Sequence, residues 1–120
     1  MKKKILLVEK DKGIKEVIFE ILTLEGFQVK SVSSTDNIIN KISDYKPDAI
    51  LIDIIRPQSE ETEICRKIKA FNLTKNIPVI VLSTSIYVTD VIKSICADEA
   101  IQKPFDLDEL VDALKREMAA

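Results

Sequence analysis

The chain has 120 residues, of which 46% are hydrophobic and 32% are charged, and this predicts one folded domain over residues 1–120 with its own core. Its 18 basic and 20 acidic residues give a formal charge of -2 and are mixed along the chain, which argues against direct nucleic-acid binding and against a membrane-binding patch. The sequence contains no histidine, which excludes Ser-His catalysis and His-ligated metals.

The first residues carry no pattern typical of a secretion signal. Three lysines at 2–4 precede an apolar run over 5–8, which is too short for the core of a signal peptide and is followed at once by charged residues. We therefore expect a cytoplasmic protein.

The two cysteines, Cys65 and Cys96, each lie among apolar residues at helical spacing. Neither has a second cysteine or a histidine near it in the sequence. This pattern predicts two buried thiols in preference to a metal site or a disulfide.

Short apolar runs alternate with segments of helical periodicity along the whole chain. The runs predict strands at 5–8, 27–32, 49–53, 78–82 and 100–102. Apolar residues at helical spacing predict helices over 14–22, 38–42, 64–71, 88–95 and 107–114. About five strands and five helices in strict alternation predict a doubly wound parallel sheet of the α/β class, with helices on both faces.

Polar residues at the ends of the predicted helices are typical of caps. Asp11 precedes the first helix, and Gly26 follows it where a left-handed residue is favoured. The hydroxyl residues at 33–35 predict a cap for the second helix. Asp106, with Glu109 three residues later, resembles a capping box for the last helix.

The predicted strands end in residues that carry chemistry. Asp53 ends the third strand, Glu9 and Lys10 follow the first, Ser83 follows the fourth and Lys103 follows the fifth. A single acid at such a place is most often a cap or a turn residue. Because ligands bind beyond the carboxyl ends of parallel strands, the arrival of all five groups at that edge predicts a functional site.

This order of residues resembles the CheY-like receiver domains of response regulators over the whole chain. The resemblance rests on the acidic stretch after the first strand, Asp53 followed by Pro57, Ser83, and Lys103-Pro104-Phe105. It implies a flavodoxin-like, CheY-like fold with strand order 2-1-3-4-5 and a role in a two-component phosphorelay.

The resemblance also implies a role for each site residue. Asp53 would accept a phosphoryl group from a sensor histidine kinase or a phosphotransfer protein, with Ser83 and Lys103 binding the phosphoryl oxygens. Its activity would be at most self-phosphorylation and autodephosphorylation at Asp53, without turnover of a separate substrate. The Lys103-Pro104 peptide would be cis. The face of the fourth helix, fifth strand and fifth helix would bind a downstream protein target.

The family pattern of magnesium ligands is incomplete here. The resemblance assigns the ion to Glu9, Asp53 and the backbone carbonyl of Ile55, but the expected second acid is Lys10. We predict that the Lys10 ammonium pairs with Asp53 or Glu9 and leaves magnesium weakly bound or absent. Two alternatives remain open: Lys10 extends into solvent, or Asp11 turns inward to replace the missing acid.

Further departures concern the output of a signal. The family usually has an aromatic residue at the position of Ala100, and glycines are common where this chain has Gln58-Ser59-Glu60-Glu61. Tyr87 is a weak candidate for an alternative aromatic contact. The sequence therefore supports two hypotheses: a phosphorylated receiver, or a pseudo-receiver that acts by protein contact alone. A flavin-binding protein is disfavoured because residues 9–12 form no phosphate-binding loop.

Overall fold

The computed structural model describes residues 2–54, 59–84 and 96–119. These residues form five strands and four helices, in the order β1 (Lys4–Val8), α1 (Lys12–Leu24), β2 (Gln28–Val32), α2 (Ile38–Tyr45), β3 (Ala49–Asp53), α3 (Glu60–Ala70), β4 (Val79–Ser83), β5 (Glu99–Gln102) and α4 (Leu107–Met118). The predicted helix over 88–95 lies outside the described residues, as do Ile55 and Tyr87. The helix numbered α4 is thus the last of the five that the sequence predicts.

The strands form one parallel sheet in the order β2-β1-β3-β4-β5, which confirms the predicted order. In β3, residues 49–52 are completely buried. A strand covered by helices on both faces needs apolar side chains on both, so it appears in the sequence as a continuous apolar run. The edge strand β2 is partly exposed, in agreement with its mixed composition.

The four described helices cover the two faces of the sheet in pairs, and each pair contributes to its own apolar cluster. Helices α2 and α3 pack on one face, through Ile38, Ile42, Cys65 and Ile68. Helices α1 and α4 pack on the other, through Ile18, Leu22, Leu110, Val111, Ala113 and Leu114. These layers fix the sheet, so the loops at the carboxyl ends of its strands occupy defined positions.

Helix α1 begins and ends as the sequence predicts. The Asp11 carboxylate accepts a hydrogen bond from the Ile14 amide at 2.9 Å, and Gly26 has a φ of 97°, a conformation that favours glycine. At 13 residues α1 is the longest helix of the described ranges. None of the helices in those ranges is long and apolar enough to cross a membrane.

The caps predicted for the other helices differ from those observed. Helix α2 follows Asn37, and within the described chain no side chain caps its first turn. Instead of capping α2, the Thr35 hydroxyl donates a hydrogen bond to the Glu60 carboxylate of α3. Asp106 does precede α4, but its side chain makes no capping hydrogen bond with the residues described.

Cys65 and Cys96 form a disulfide, so the prediction of two free thiols was wrong. Both residues are buried, as predicted. Their Cα atoms lie 5.8 Å apart, within the range that a disulfide spans. The bond joins the middle of α3 to the turn before β5, a contact between residues 31 positions apart that only the packing of α3 creates.

Candidate functional site

The register of the sheet aligns the ends of its three central strands. Val8 of β1 lies beside Ile52 of β3, and therefore Glu9, the residue after Val8, lies at the level of Asp53. Asp53 in turn lies beside Leu82 of β4. The acids predicted from the two strand ends are thus brought to one edge of the sheet.

Lys103 links the two acids. Its ammonium lies 2.7 Å from Asp53 Oδ1 and 3.4 Å from Glu9 Oε1. The Lys103 amide donates a hydrogen bond to the Ser83 carbonyl at 2.7 Å, which holds the loop that carries Lys103 against β4. The Lys103-Pro104 peptide is cis, as predicted. Asp53, Glu9 and Lys103 therefore meet as the sequence predicts.

The environment of Glu9 disfavours its negative charge. Its side chain is only 2% exposed. Burial raises the pKa of Glu9, the nearby Asp53 charge raises it further, and Lys103 opposes both effects. Two carboxylates that contact the same ammonium favour a bound cation, because a cation relieves their repulsion.

The Lys103 ammonium is held in its charged form. Burial lowers the pKa of Lys103, but its hydrogen bond to Asp53 and the charges of Asp53 and Glu9 raise it more, so the net pKa is raised. Lys103 therefore provides a permanent positive charge between the two acids.

Ser83 ends β4 and is buried, with 1% of its surface exposed. The next residue, Thr84, lines the cavity that contains Asp53 and Lys103. The sequence placed Ser83 at this edge, as observed, but Thr84 was not among the predicted site residues. The hydroxyl run after the fourth strand was the available signal.

Lys10 lies at this cavity, but the prediction of its partner was wrong. Lys103, and not Lys10, pairs with Glu9 and Asp53, while the Lys10 ammonium lies 2.7 Å from Glu61 Oε1. The alternative in which Asp11 replaces the missing acid is also disfavoured, because its carboxylate caps α1. Glu61 was missed as a partner because 51 positions separate it from Lys10.

The cavity has a volume of about 510 Å³. Its charged lining residues, among those the structure describes, are the acids Glu9, Asp11, Asp53 and Glu61 and the lysines Lys10 and Lys103. Four acids and two lysines give a formal charge of -2. This formal charge equals the charge that one magnesium ion neutralises, and Asp11 and Glu61 contribute to it beside the acids predicted from the sequence.

Two acids of this cavity have the chemistry of magnesium ligands. No group of three or more metal-ligating acid or cysteine side chains is present in the described ranges, and the predicted carbonyl ligand of Ile55 falls outside them. Glu9 and Asp53 remain, and magnesium is commonly held by one or two carboxylates with water. The two acids therefore fit magnesium, with one acid fewer than the family pattern.

The first turn of α3 contacts loops on both of its sides. Glu61 pairs with Lys10 in the loop after β1, and Glu60 accepts a hydrogen bond from Thr35 in the loop after β2. Ser59 caps the turn by accepting a hydrogen bond from the Thr62 amide at 3.2 Å. These contacts fix the wall of the cavity beside Asp53.

Comparison with known sequences identifies one family. Residues 5–115 match the family described as response regulator receiver domain. The chain is 36% identical to the sensory transduction protein BceR of Halalkalibacterium halodurans over 90% of its length, which is 46% of that protein. It is 31% identical to the phosphate regulon transcriptional regulatory protein PhoB of Escherichia coli over 98% of its length, which is 52% of that protein. The chain thus spans about half the length of these relatives.

Solved structures of similar fold cover the chain completely. A putative response regulator from Chloroflexus aurantiacus matches with a TM-score of 0.91 at 24% identity over 100% of both chains, which supports the fold alone. The receiver domain of the sensor histidine kinase PA1611 from Pseudomonas aeruginosa, solved with magnesium in its active-site cleft, matches with a TM-score of 0.88 at 25% identity over 100% of both chains. Sequence, strand order and strand-end residues agree: the chain belongs to the response regulator receiver domain family.

Proposed function

We propose that residues 1–120 form a single receiver domain that accepts a phosphoryl group on Asp53 from a sensor histidine kinase or a phosphotransfer protein. The observation that carries this proposal is the contact of Lys103 with both Asp53 and Glu9 in a cavity at the carboxyl ends of the strands. This arrangement supplies a nucleophile, a fixed cation and a pair of acids suited to a divalent ion.

The reaction transfers the phosphoryl group from nitrogen to oxygen. The bond between phosphorus and a histidine nitrogen of the donor breaks, a bond between phosphorus and an Asp53 oxygen forms, and the freed histidine takes up a proton. Lys103 orients the Asp53 carboxylate through Oδ1 and then balances the charge of the transferred group. Ser83 or Thr84 provides a hydroxyl donor at the end of β4.

Glu9, Asp53 and the Ile55 carbonyl would hold magnesium. The ion would supply the positive charge that lets the Asp53 carboxylate approach the phosphoryl group of the donor. We infer a weaker affinity for the ion than in the family pattern, because Lys10 stands in place of an acid. Phosphorylation and loss of the phosphoryl group at Asp53 are the only chemical activities that we assign.

The output of the domain is contact with another protein. We propose that the target binds the face formed by the helix predicted over 88–95, strand β5 and the last helix, α4. We further propose that the domain itself binds neither nucleic acid nor membrane and that it acts in the cytoplasm.

The second candidate function is a pseudo-receiver that binds its partner without phosphorylation. Two observations favour it: Lys10 replaces an acid, and Ala100, packed against the apolar cluster beneath α2 and α3, provides no aromatic ring to change position.

Incubation with acetyl phosphate distinguishes the two functions. A receiver gains a phosphoryl mass in the presence of magnesium, and Asp53→Asn removes it. A pseudo-receiver gains no such mass. If the adduct forms only in Lys10→Asp, then Lys10 is the element that blocks phosphorylation in the natural chain.

A further inference from the structure

Two residues that depart from the family pattern meet in the structure. Lys10 stands where an acid is expected, Glu61 lies in the first turn of α3 within a stretch where the family commonly has glycines, and the Lys10 ammonium lies 2.7 Å from Glu61 Oε1. We propose that Glu61 is a positioning residue that holds Lys10 away from Glu9 and Asp53 and so keeps those acids available to a divalent cation. This inference rests on the proposed function and identifies a residue that controls its metal site.

Glu61 is suited to this role because its carboxylate is fixed. It lies in the first turn of α3, and its side chain is 13% exposed, whereas that of Lys10 is 62% exposed. Burial raises the pKa of Glu61, but the hydrogen bond and charge of Lys10, together with hydrogen bonds from the Glu61 amide and Ser59, lower it more, so the net pKa lies below its usual value. Glu61 is therefore ionised at neutral pH and offers Lys10 a permanent partner.

Lys10 requires such a partner because it is the neighbour of Glu9 in the chain. Its flexible stem allows the ammonium to reach any carboxylate at the cavity, and Glu9, Asp11 and Asp53 line the same cavity. Two of these three acids, Glu9 and Asp53, form the pair that Lys103 already contacts. A second ammonium there competes directly with a divalent cation.

The size of the effect follows from the exposure of the pair. Ion pairs with one exposed partner are worth up to about 1 kcal/mol, which is about a fivefold change in an equilibrium constant. Loss of Glu61 should therefore weaken magnesium binding by about fivefold. Lys10 is the cause only if this loss disappears when Lys10 is also removed.

The experiment is a magnesium titration by calorimetry, without any phosphoryl donor, on the wild type, Glu61→Gln, Lys10→Gln and the double variant. The matched control is Glu63→Gln, which removes the same charge from an exposed position in the same turn of α3. Circular dichroism verifies that each variant is folded.

We expect Glu61→Gln to weaken magnesium binding about fivefold, Glu63→Gln to weaken it less than twofold, and the double variant to bind as Lys10→Gln does. The proposal is overturned if Glu61→Gln and Glu63→Gln weaken magnesium binding equally. It is also overturned if the double variant binds magnesium as weakly as Glu61→Gln, because Glu61 would then act only through its own charge. It is also overturned if the wild type binds no magnesium. An absent acetyl phosphate adduct in a wild type that binds magnesium with this pattern would refute the proposed function alone.

Discussion

The Lys103 ammonium donates a hydrogen bond to the Asp53 carboxylate at 2.7 Å, across 50 positions of sequence. The same ammonium contacts Glu9, whose carboxylate is almost completely buried. One lysine is therefore shared by two acids at the end of the sheet, and its removal leaves both without that cation.

Lys103→Gln is expected to lower the free energy of unfolding by about 2 kcal/mol at neutral pH in the presence of a chelator, because two close carboxylates lose their shared cation. Urea denaturation followed by circular dichroism measures this loss. Magnesium should restore more stability to Lys103→Gln than to the wild type. Lys115→Gln, which removes an exposed lysine of α4, provides the control, and an equal effect of both substitutions would contradict the role assigned to Lys103.

The Lys10–Glu61 pair should give a small stability that depends on pH. The pKa of Glu61 in the folded chain lies below its usual value of 4.5. The contribution of Glu61 to the free energy of unfolding is thus fully present above the pKa that Glu61 has in the unfolded chain. It is lost as the pH falls through the lower pKa that Glu61 has in the folded chain. We expect Lys10→Gln to be less stable than the wild type by about 0.5 kcal/mol at pH 6 and equally stable in strong acid. Denaturation curves at a series of pH values measure the difference, and a difference independent of pH would exclude the ion pair as its source.

The Cys65–Cys96 disulfide should stabilise the domain. Closing a loop of this length restricts the unfolded chain and is worth about 3–4 kcal/mol in the chain-entropy model. Dithiothreitol should therefore lower the melting temperature of the wild type. The double variant Cys65→Ala/Cys96→Ala should not respond to the reductant. An unchanged melting temperature, with free thiols confirmed by mass spectrometry, would show that the bond adds no stability.

The contact between Thr35 and Glu60 should also be measurable. Thr35 is buried and its hydroxyl donates to the Glu60 carboxylate, so Thr35→Val removes the hydrogen bond while preserving the shape of the side chain. We expect a loss of about 1 kcal/mol in the free energy of unfolding. Asp36→Asn, at an exposed position of the same loop, is the control substitution, and a comparable loss there would indicate a general effect of the loop.

The sequence was sufficient for the fold and for the location of the site. Strand and helix periodicity is a property of neighbouring residues, so the alternation of elements could be recognised directly. Parallel strands bring their carboxyl ends to one edge, and for this reason Glu9, Asp53, Ser83 and Lys103 could be assigned to a common site before any distance was known. Asp11 and Gly26 were also predictable, because a cap depends on the few residues beside it.

Only the tertiary structure decided which side chains pair. Lys10 was expected to contact Glu9 or Asp53 and contacts Glu61 instead. Cys65 was expected to be a free thiol and is bonded to Cys96. The Thr35 hydroxyl was expected to cap α2 and donates a hydrogen bond to Glu60 of α3. In each of these three pairs, one residue belongs to α3. Sequence spacing carries no information about distances between residues so far apart in the chain, because those distances are set by how α3 packs on the sheet. The sequence alone therefore determined the architecture and the edge of the sheet where Glu9, Asp53 and Lys103 meet, while the packing of one helix determined the partner of Lys10.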